Sequence, residues 1–183
     1  MTIKIPLSHI TPEGVSFSYL KQAADFSVLK EMLAAGEVSD FSALEIEVTL
    51  SAREGYYDVI GKVVGQVGLR CSRCLNSFSN SLHQRFNLQF SQEILRDLDS
   101  DEDADLELSA DQMGLLFFKG NELDLGDAVQ EQVVLALPLK PLCCAACKGL
   151  CPRCGADLNL GPCRCGSNSG GSPFDVLKSL TIK

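Results

Sequence analysis

The sequence predicts an α+β chain: an antiparallel β-sheet or partial barrel with a few helices, followed by a C-terminal cysteine-rich zinc module. Three observations predict it. Apolar and polar residues alternate from Leu44 to Ser51 and along Phe78 to Phe90, the period of half-buried strands. Leu125, Val129, Val133 and Leu137 recur at helical spacing. Nine cysteines crowd into Cys71, Cys74 and the stretch from Cys143 to Cys165, at spacings that suit a tetrahedral shell of thiolates.

Residues 2–8 and 15–20 read as short strands around the turn Thr11-Pro12-Glu13-Gly14. Residues 26–35 read as a helix that Asp25 or Ser27 caps and Gly36 ends. In the strand 44–51, Leu44, Ile46, Val48 and Leu50 face a core, and Glu45, Glu47, Thr49 and Ser51 face away. Glu54-Gly55 marks a turn. Tyr57 to Leu69 is the next strand, with Tyr57, Val59, Val63, Val67 and Leu69 on one face. Gly61, Gly65 and Gly68 inside it suggest bulges or a tightly bent sheet. In the strand Phe78 to Phe90, Phe78, Leu82, Phe86, Leu88 and Phe90 point inward, and His83 and Arg85 point the other way. Cys71-Ser72-Arg73-Cys74 falls at the hairpin tip between these two strands, where a metal fixes their register. Leu115 to Lys119 reads as a further strand. A helix opens at Asp124, runs to about Leu137 and is stopped by Pro138.

These elements divide the chain into a β-rich domain over 1–142 with an acidic loop at 96–106, a cysteine-rich metal module over 143–166, and a linker with a short C-terminal helix over 167–183. The Gly/Ser run after Cys165 is a flexible linker, and Ser172-Pro173 opens a last turn or helix over 174–180. No internal repeat is evident.

Charge is unevenly spread. Residues 93–139 carry 2 Lys/Arg against 13 Asp/Glu, whereas residues 140–183 carry 6 against 2. The acidic block, Asp97 to Asp105, repels a phosphate backbone and attracts a basic protein, unless it is only a solvated loop. The cysteine-rich end has the opposite preference. No run of ~18 apolar residues is present for a membrane span. The N-terminus lacks the basic-then-apolar pattern of a signal peptide. A cytoplasmic chain with reduced thiols is therefore expected, in which cysteines hold metal rather than disulfides.

The cysteines fall into pairs: 71/74, 143 or 144 with 147, 151/154 and 163/165. The simplest grouping makes 151, 154, 163 and 165 a local site. Cys71 and Cys74 then join 143 (or 144) and 147 in a long-range site. A cross-braced grouping fits the same spacings, and Cys144-x-x-Cys147 has the commoner spacing, so both choices stay open. Free core cysteines do not concentrate on Gly/Pro/Arg-rich turns. An iron–sulfur cluster also takes four thiolates, but no familiar cluster run is present. A redox pair needs its C-x-x-C at a helix N-terminus after a strand, and Cys71 and Cys74 lie between two strands. Two structural Zn²⁺ ions are expected, and a closed shell of four sulfurs leaves no position for chemistry. His9 and His83 are the only histidines, and His83 reads as a surface residue. No Ser/His/Asp set, phosphate loop or carboxylate pair stands out, so no enzyme is expected.

The motifs Cys71-Ser-Arg-Cys74-Leu75, Leu137-Pro-Leu-Lys-Pro-Leu-Cys143, Cys147-Lys-Gly-Leu-Cys-Pro-Arg-Cys-Gly-Ala-Asp-Leu-Asn159, Cys163-Arg-Cys165 and Pro173-Phe174 together resemble the bacterial YceD family over nearly the full length. The resemblance implies a factor needed for accumulation or processing of large-subunit (23S) ribosomal RNA, with relatives in plastids. It places the third ligand at Cys143, completing the set Cys71, Cys74, Cys143, Cys147, Cys151, Cys154, Cys163 and Cys165, and leaves Cys144 as a local departure. The family's gene often neighbours that of a small zinc-ribbon protein of the large subunit, a second candidate partner. It implies no activity.

The expected function is that of a non-catalytic, zinc-stabilised ribosome-biogenesis factor. Arg70, Arg73, Lys140, Lys148, Arg153 and Arg164 would form a basic surface for large-subunit RNA or a precursor particle. The alternatives are an acidic, chaperone-like binder of a basic large-subunit ribosomal protein, and a thiol redox enzyme acting through Cys71 and Cys74.

Overall fold

Residues 3–92 and 114–165 are described by a computed structural model. The acidic loop at 96–106, and the linker and helix expected over 167–183, lie outside the described residues. The main sheet has the order β2 (Val15–Lys21), β4 (Leu44–Arg53), β5 (Tyr56–Arg70), β6 (Ser77–Gln92) and β7 (Leu115–Phe118), with β3 (Asp40–Phe41) pairing separately with β5. A two-stranded sheet joins β1 (Lys4–Pro6) to β8 (Glu122–Asp124). The helices are α1 (Ser27–Ala35) and α2 (Gly126–Leu135). Among the described residues the architecture is thus an open half-barrel, largely sheet, with two α-helices, and α+β describes it only loosely. Among the described residues every strand pairing is antiparallel except β6 with β7, which run parallel from Gln89↔Leu115 to Gln92↔Phe118.

The alternating segments form the strands expected of them, each a little longer. Leu44, Ile46, Val48 and Leu50 are buried and the residues between them are exposed or half-exposed. On β5 and β6, Val59, Val63, Leu82, Phe86 and Phe90 join the same core, and Leu29 of α1 and Val129 and Val133 of α2 cover it. Each fully buried side chain of this kind stabilises by about 1.5–3 kcal/mol. A smaller cluster of Val38, Val67 and Leu69, with Leu137 against it, continues the core toward the β5–β6 tip.

Three expectations are corrected. First, the N-terminal strand is only β1, because Leu7–His9 turns into a 3₁₀ helix after Pro6, and β1 pairs with β8 rather than with β2. The Leu7 amide still donates to the Asn121 carbonyl at 3.0 Å, so the ladder passes Pro6 and ends where the 3₁₀ turn begins. The turn at Thr11–Gly14 does form, with the Gly14 amide donating to the Thr11 carbonyl at 3.1 Å. Second, of the two readings of the β5 glycines, the bent sheet agrees with the half-barrel and the bulge is absent: the register with β6 runs unbroken from Tyr57↔Phe90 to Arg70↔Ser77. Gly61 instead makes room for the Phe86 ring, which a Cβ at 61 would strike, and Gly65 and Gly68 admit Leu44 and the Ser39–Asp40 segment. Third, neither Asp25 nor Ser27 caps α1. The Asp25 carboxylate accepts the Gln22 amide. The Val28 amide at the start of α1 donates instead to Oε1 of Gln130, a buried residue of α2, at 3.2 Å. Gly36 ends α1 in the left-handed conformation, φ +72°. Among the described residues no helix is long and apolar enough to cross a membrane.

Candidate metal centres

Beyond Arg70↔Ser77 the strands of the long hairpin part and the chain turns through Cys71–Asn76. The Cys71 amide donates to the Asn76 carbonyl at 2.9 Å, and the Leu75 amide donates to the Cys71 carbonyl at 2.9 Å. The stretch Cys151–Ala156 repeats this turn: the Cys151 amide donates to Ala156 at 2.8 Å and the Gly155 amide to Cys151 at 2.9 Å. Both knuckles need a left-handed residue after the second cysteine, which is Leu75 at φ +62° in one and Gly155 at φ +72° in the other. A short structural repeat is therefore present, carried by Cys-x-Arg-Cys alone.

Each knuckle gathers a second pair of thiols. Cys71, Cys74, Cys143 and Cys147 bring their sulfurs within 4.8 Å of one another, and so do Cys151, Cys154, Cys163 and Cys165. This is the simplest grouping that the spacing allows, not the cross-braced one. Cys143 rather than Cys144 points into the first cluster, and the Cys144 carbonyl accepts the Cys147 amide at 3.2 Å. Four sulfurs ~2.3 Å from one centre stand ~3.8 Å apart. The observed Cys71–Cys147 and Cys74–Cys143 separations are 3.8 and 3.7 Å, and Cys151–Cys163 is 3.4 Å. Thiolate sets at this spacing can hold a soft or borderline ion such as Zn²⁺. The first cluster is the better sealed: Cys71, Cys74 and Cys147 are buried against Phe78, Leu142 and Leu150. In the second only Cys151 is buried, and Cys154 is exposed.

The knuckle backbone prepares one thiolate in each cluster. Amides of Cys143, Cys74 and Arg73 aimed at the Cys71 sulfur lower its pKa to about 6. Amides of Cys154 and Arg153 do the same for Cys151, also to about 6. The partners move the other way. Burial and the neighbouring sulfurs raise Cys143, and contact with Cys154 together with burial raises Cys165 to about 12. A cation at the centre relieves this crowding of negative charge.

Several residues that the sequence did not single out hold the clusters. Asn159 donates from Nδ2 to the Cys147 sulfur at 3.5 Å and to Asp157 Oδ1 at 2.7 Å. Its Oδ1 accepts the Lys148 amide at 2.8 Å. Asp157 Oδ2 accepts Asn76 Nδ2 at 2.8 Å, and the Asn159 amide, first among its donors, holds the Asp157 pKa below the usual carboxylate value. In the sequence these two residues stand as the polar Asp-x-Asn that ends the motif of the second cysteine knuckle. Gly149, at φ +75°, lets the chain cross the tip where a Cβ would press on the Arg73 carbonyl, and the Leu150 amide donates to that carbonyl at 3.1 Å.

The six basic residues singled out from the sequence divide into two groups. Arg73 donates from a guanidinium N–H to the Cys147 carbonyl at 2.8 Å, and Arg153 to the Cys165 carbonyl at 3.3 Å. In each case the arginine inside a knuckle grips the last cysteine of its own cluster. Arg70, Lys140, Lys148 and Arg164 are exposed and form no ion pair among the described residues. His83 lies exposed on the outer sheet face. Cys71 and Cys74 sit between β5 and β6 and not at a helix N-terminus.

A family model described as "Large ribosomal RNA subunit accumulation protein YceD" matches residues 59–181. "Large ribosomal RNA subunit accumulation protein YCED homolog 1, chloroplastic" of Arabidopsis thaliana is 25% identical over 158 residues, which cover 77% of this chain and 49% of the plant protein. The chain thus spans about half the length of that curated relative. No solved structure matches it.

Proposed function

The chain belongs to the YceD family, and from that premise we propose that it is a non-catalytic factor in accumulation of large-subunit ribosomal RNA. In this reading it works in the cytoplasm on 23S RNA or a precursor particle. The observation that carries the reading is the position of the exposed cations. Lys148 follows a ligand of the first cluster, Arg164 lies between two ligands of the second, and Arg70 and Lys140 flank the hairpin tip and the approach to Cys143. Phosphate contacts need cations whose geometry is fixed before binding. Here the backbone beside each ligand would be fixed by metal. We assign Zn²⁺ to both clusters, held by Cys71, Cys74, Cys143 and Cys147 and by Cys151, Cys154, Cys163 and Cys165. The ion's part is structural, since four thiolates close its shell.

Binding of 23S RNA fragments across a salt series tests this. A cationic surface gives an affinity that falls steeply with salt, by about 0.7 in log–log slope per phosphate contact for single strands. Replacing Arg70, Lys140, Lys148 and Arg164 by Ala should flatten that slope and weaken binding while zinc content stays at two ions per chain. Salt-independent or absent RNA binding, with capture of a basic ribosomal protein instead, transfers the function to the acidic stretch 97–105.

A further inference from the structure

The loop that closes the second cluster is docked on the first. Residues 155–162 connect the pair Cys151/Cys154 to the pair Cys163/Cys165, and Asp157 and Asn159 reach from this loop to the other site. Every polar group of the Asn159 side chain is used: Nδ2 serves the Cys147 sulfur and Asp157, and Oδ1 holds the Lys148 amide. Asp157 in turn ties the loop to Asn76, just past Cys74, and the Leu158 amide donates to the Gly149 carbonyl at 2.9 Å. From these contacts we infer that the two clusters bind metal cooperatively, coupled through the Asp157–Asn159 bracket.

The physical basis is loop order. Held at only one end, the loop loses much conformational freedom when it docks. A metal joining its two ends removes part of that cost in advance, so Asn159 is already presented to Cys147. An N–H donor on a metal-bound thiolate strengthens the first cluster, as outer hydrogen bonds do at metal sites generally. The coupling is reciprocal by linkage: metal in the first cluster fixes Cys147–Gly149 and Asn76, the surface on which the bracket seats. Lys148 and Arg164 therefore reach fixed positions together, in the doubly loaded chain. The inference rests on the metal reading proposed above.

Cobalt and zinc titrations of the full chain test it. In the double variant Cys151→Ser/Cys154→Ser the first cluster should bind metal about tenfold more weakly than in the wild type. Asn159→Ala alone should cost the first cluster a similar factor. Adding Asn159→Ala to the double variant should cost little more, because the bracket is already idle. An unchanged first-cluster affinity in the double variant, or losses that simply multiply, overturns the coupling. Should the serine variants misfold, native mass spectrometry at one equivalent of zinc decides: the singly loaded fraction should be larger in Asn159→Ala than in the wild type, and an equal fraction overturns the inference. Absence of metal from the wild type is a different result and removes the metal reading itself.

Discussion

The Arg73 guanidinium donates to the backbone carbonyl of Cys147 at 2.8 Å, so a residue of the hairpin tip clamps the far ligand of its own cluster. Arg153 repeats the contact on Cys165. Hydrogen bonds from a charged donor are roughly twice as strong as neutral ones. Arg73→Ala should therefore release metal from the first cluster faster and lower its affinity about tenfold, the lower end of what outer-shell partners contribute. Arg70→Ala, which removes an exposed cation next to the same knuckle, should leave release unchanged. Competition with a chromophoric chelator reads both, and identical behaviour of the two variants counts against the clamp.

Leu75 occupies a left-handed conformation, φ +62°, and is 55% exposed. A side chain there costs roughly 1–2 kcal/mol, and little apolar burial offsets it. At the matching position the second knuckle has Gly155. Leu75→Gly should stabilise the tip by a few tenths to about 1 kcal/mol, after the greater freedom of glycine in the unfolded chain is subtracted. Slower amide exchange at Leu75 and Asn76 is the expected signature; faster exchange would mean that the leucine side chain holds the tip in some other way.

Gly61 lies under the Phe86 ring, where a Cβ has no space. Gly61→Ala should destabilise the sheet by about 1–3 kcal/mol through overpacking. Phe86→Leu alone should also destabilise, but combining the two should cost less than their sum because they share one space. Denaturant unfolding of the four proteins in this cycle measures the difference, and strict additivity would place the strain elsewhere.

The periodic parts of this fold were legible in the sequence. Alternation at Leu44–Leu50 and Phe78–Phe90 gave strands with the correct faces, and the spacing of Leu125, Val129 and Val133 gave α2. Spacing offered the grouping of the two thiol clusters as the simpler of two, and the family resemblance rather than spacing put Cys143 in the first. What stayed hidden depends on contacts between distant residues. A glycine in a strand marks either a bulge or a close neighbour, and only the position of Phe86 decides which. The cap of α1 comes from Gln130, and β7 joins the sheet in parallel. The arginine of each Cys-x-Arg-Cys read as a free cation, because its acceptor is a backbone carbonyl, a group every residue carries.

Metal affinity should rise with pH, because binding to a thiol displaces its proton. Near pH 7 the lowered pKa values of Cys71 and Cys151, each about 6, leave these two already as thiolates. Cys143 and Cys165 still hold protons there, since both are raised, so affinity continues to climb above neutrality. As pH falls through about 6, Cys71 and Cys151 take up protons too, and the dependence should steepen by one proton per cluster. Zinc competition between pH 5 and 8 traces this curve; a flat profile would mean that the thiols do not bind the ion.

Ending the chain after residue 148 separates what the core holds from what the tail holds. The buried residues of β4, β5, β6, α1 and α2 make no use of the second cluster, so the sheet should still unfold cooperatively. The first cluster keeps all four of its cysteines and the Ser72 amide keeps its bond to the Pro141 carbonyl. The tip nevertheless loses the Leu150 amide on Arg73, the Asp157 carboxylate on Asn76 and the Asn159 amide on the Cys147 sulfur. Its amides at 71–76 should then exchange faster while those of Val59 and Val63 stay protected, since local opening follows the number of contacts that hold a segment. Metal should remain bound at one ion per chain, with lower affinity than in the full chain. Loss of protection throughout the sheet would show that the tail is part of the cooperative core, whereas an unchanged tip would show that the bracket carries no energy.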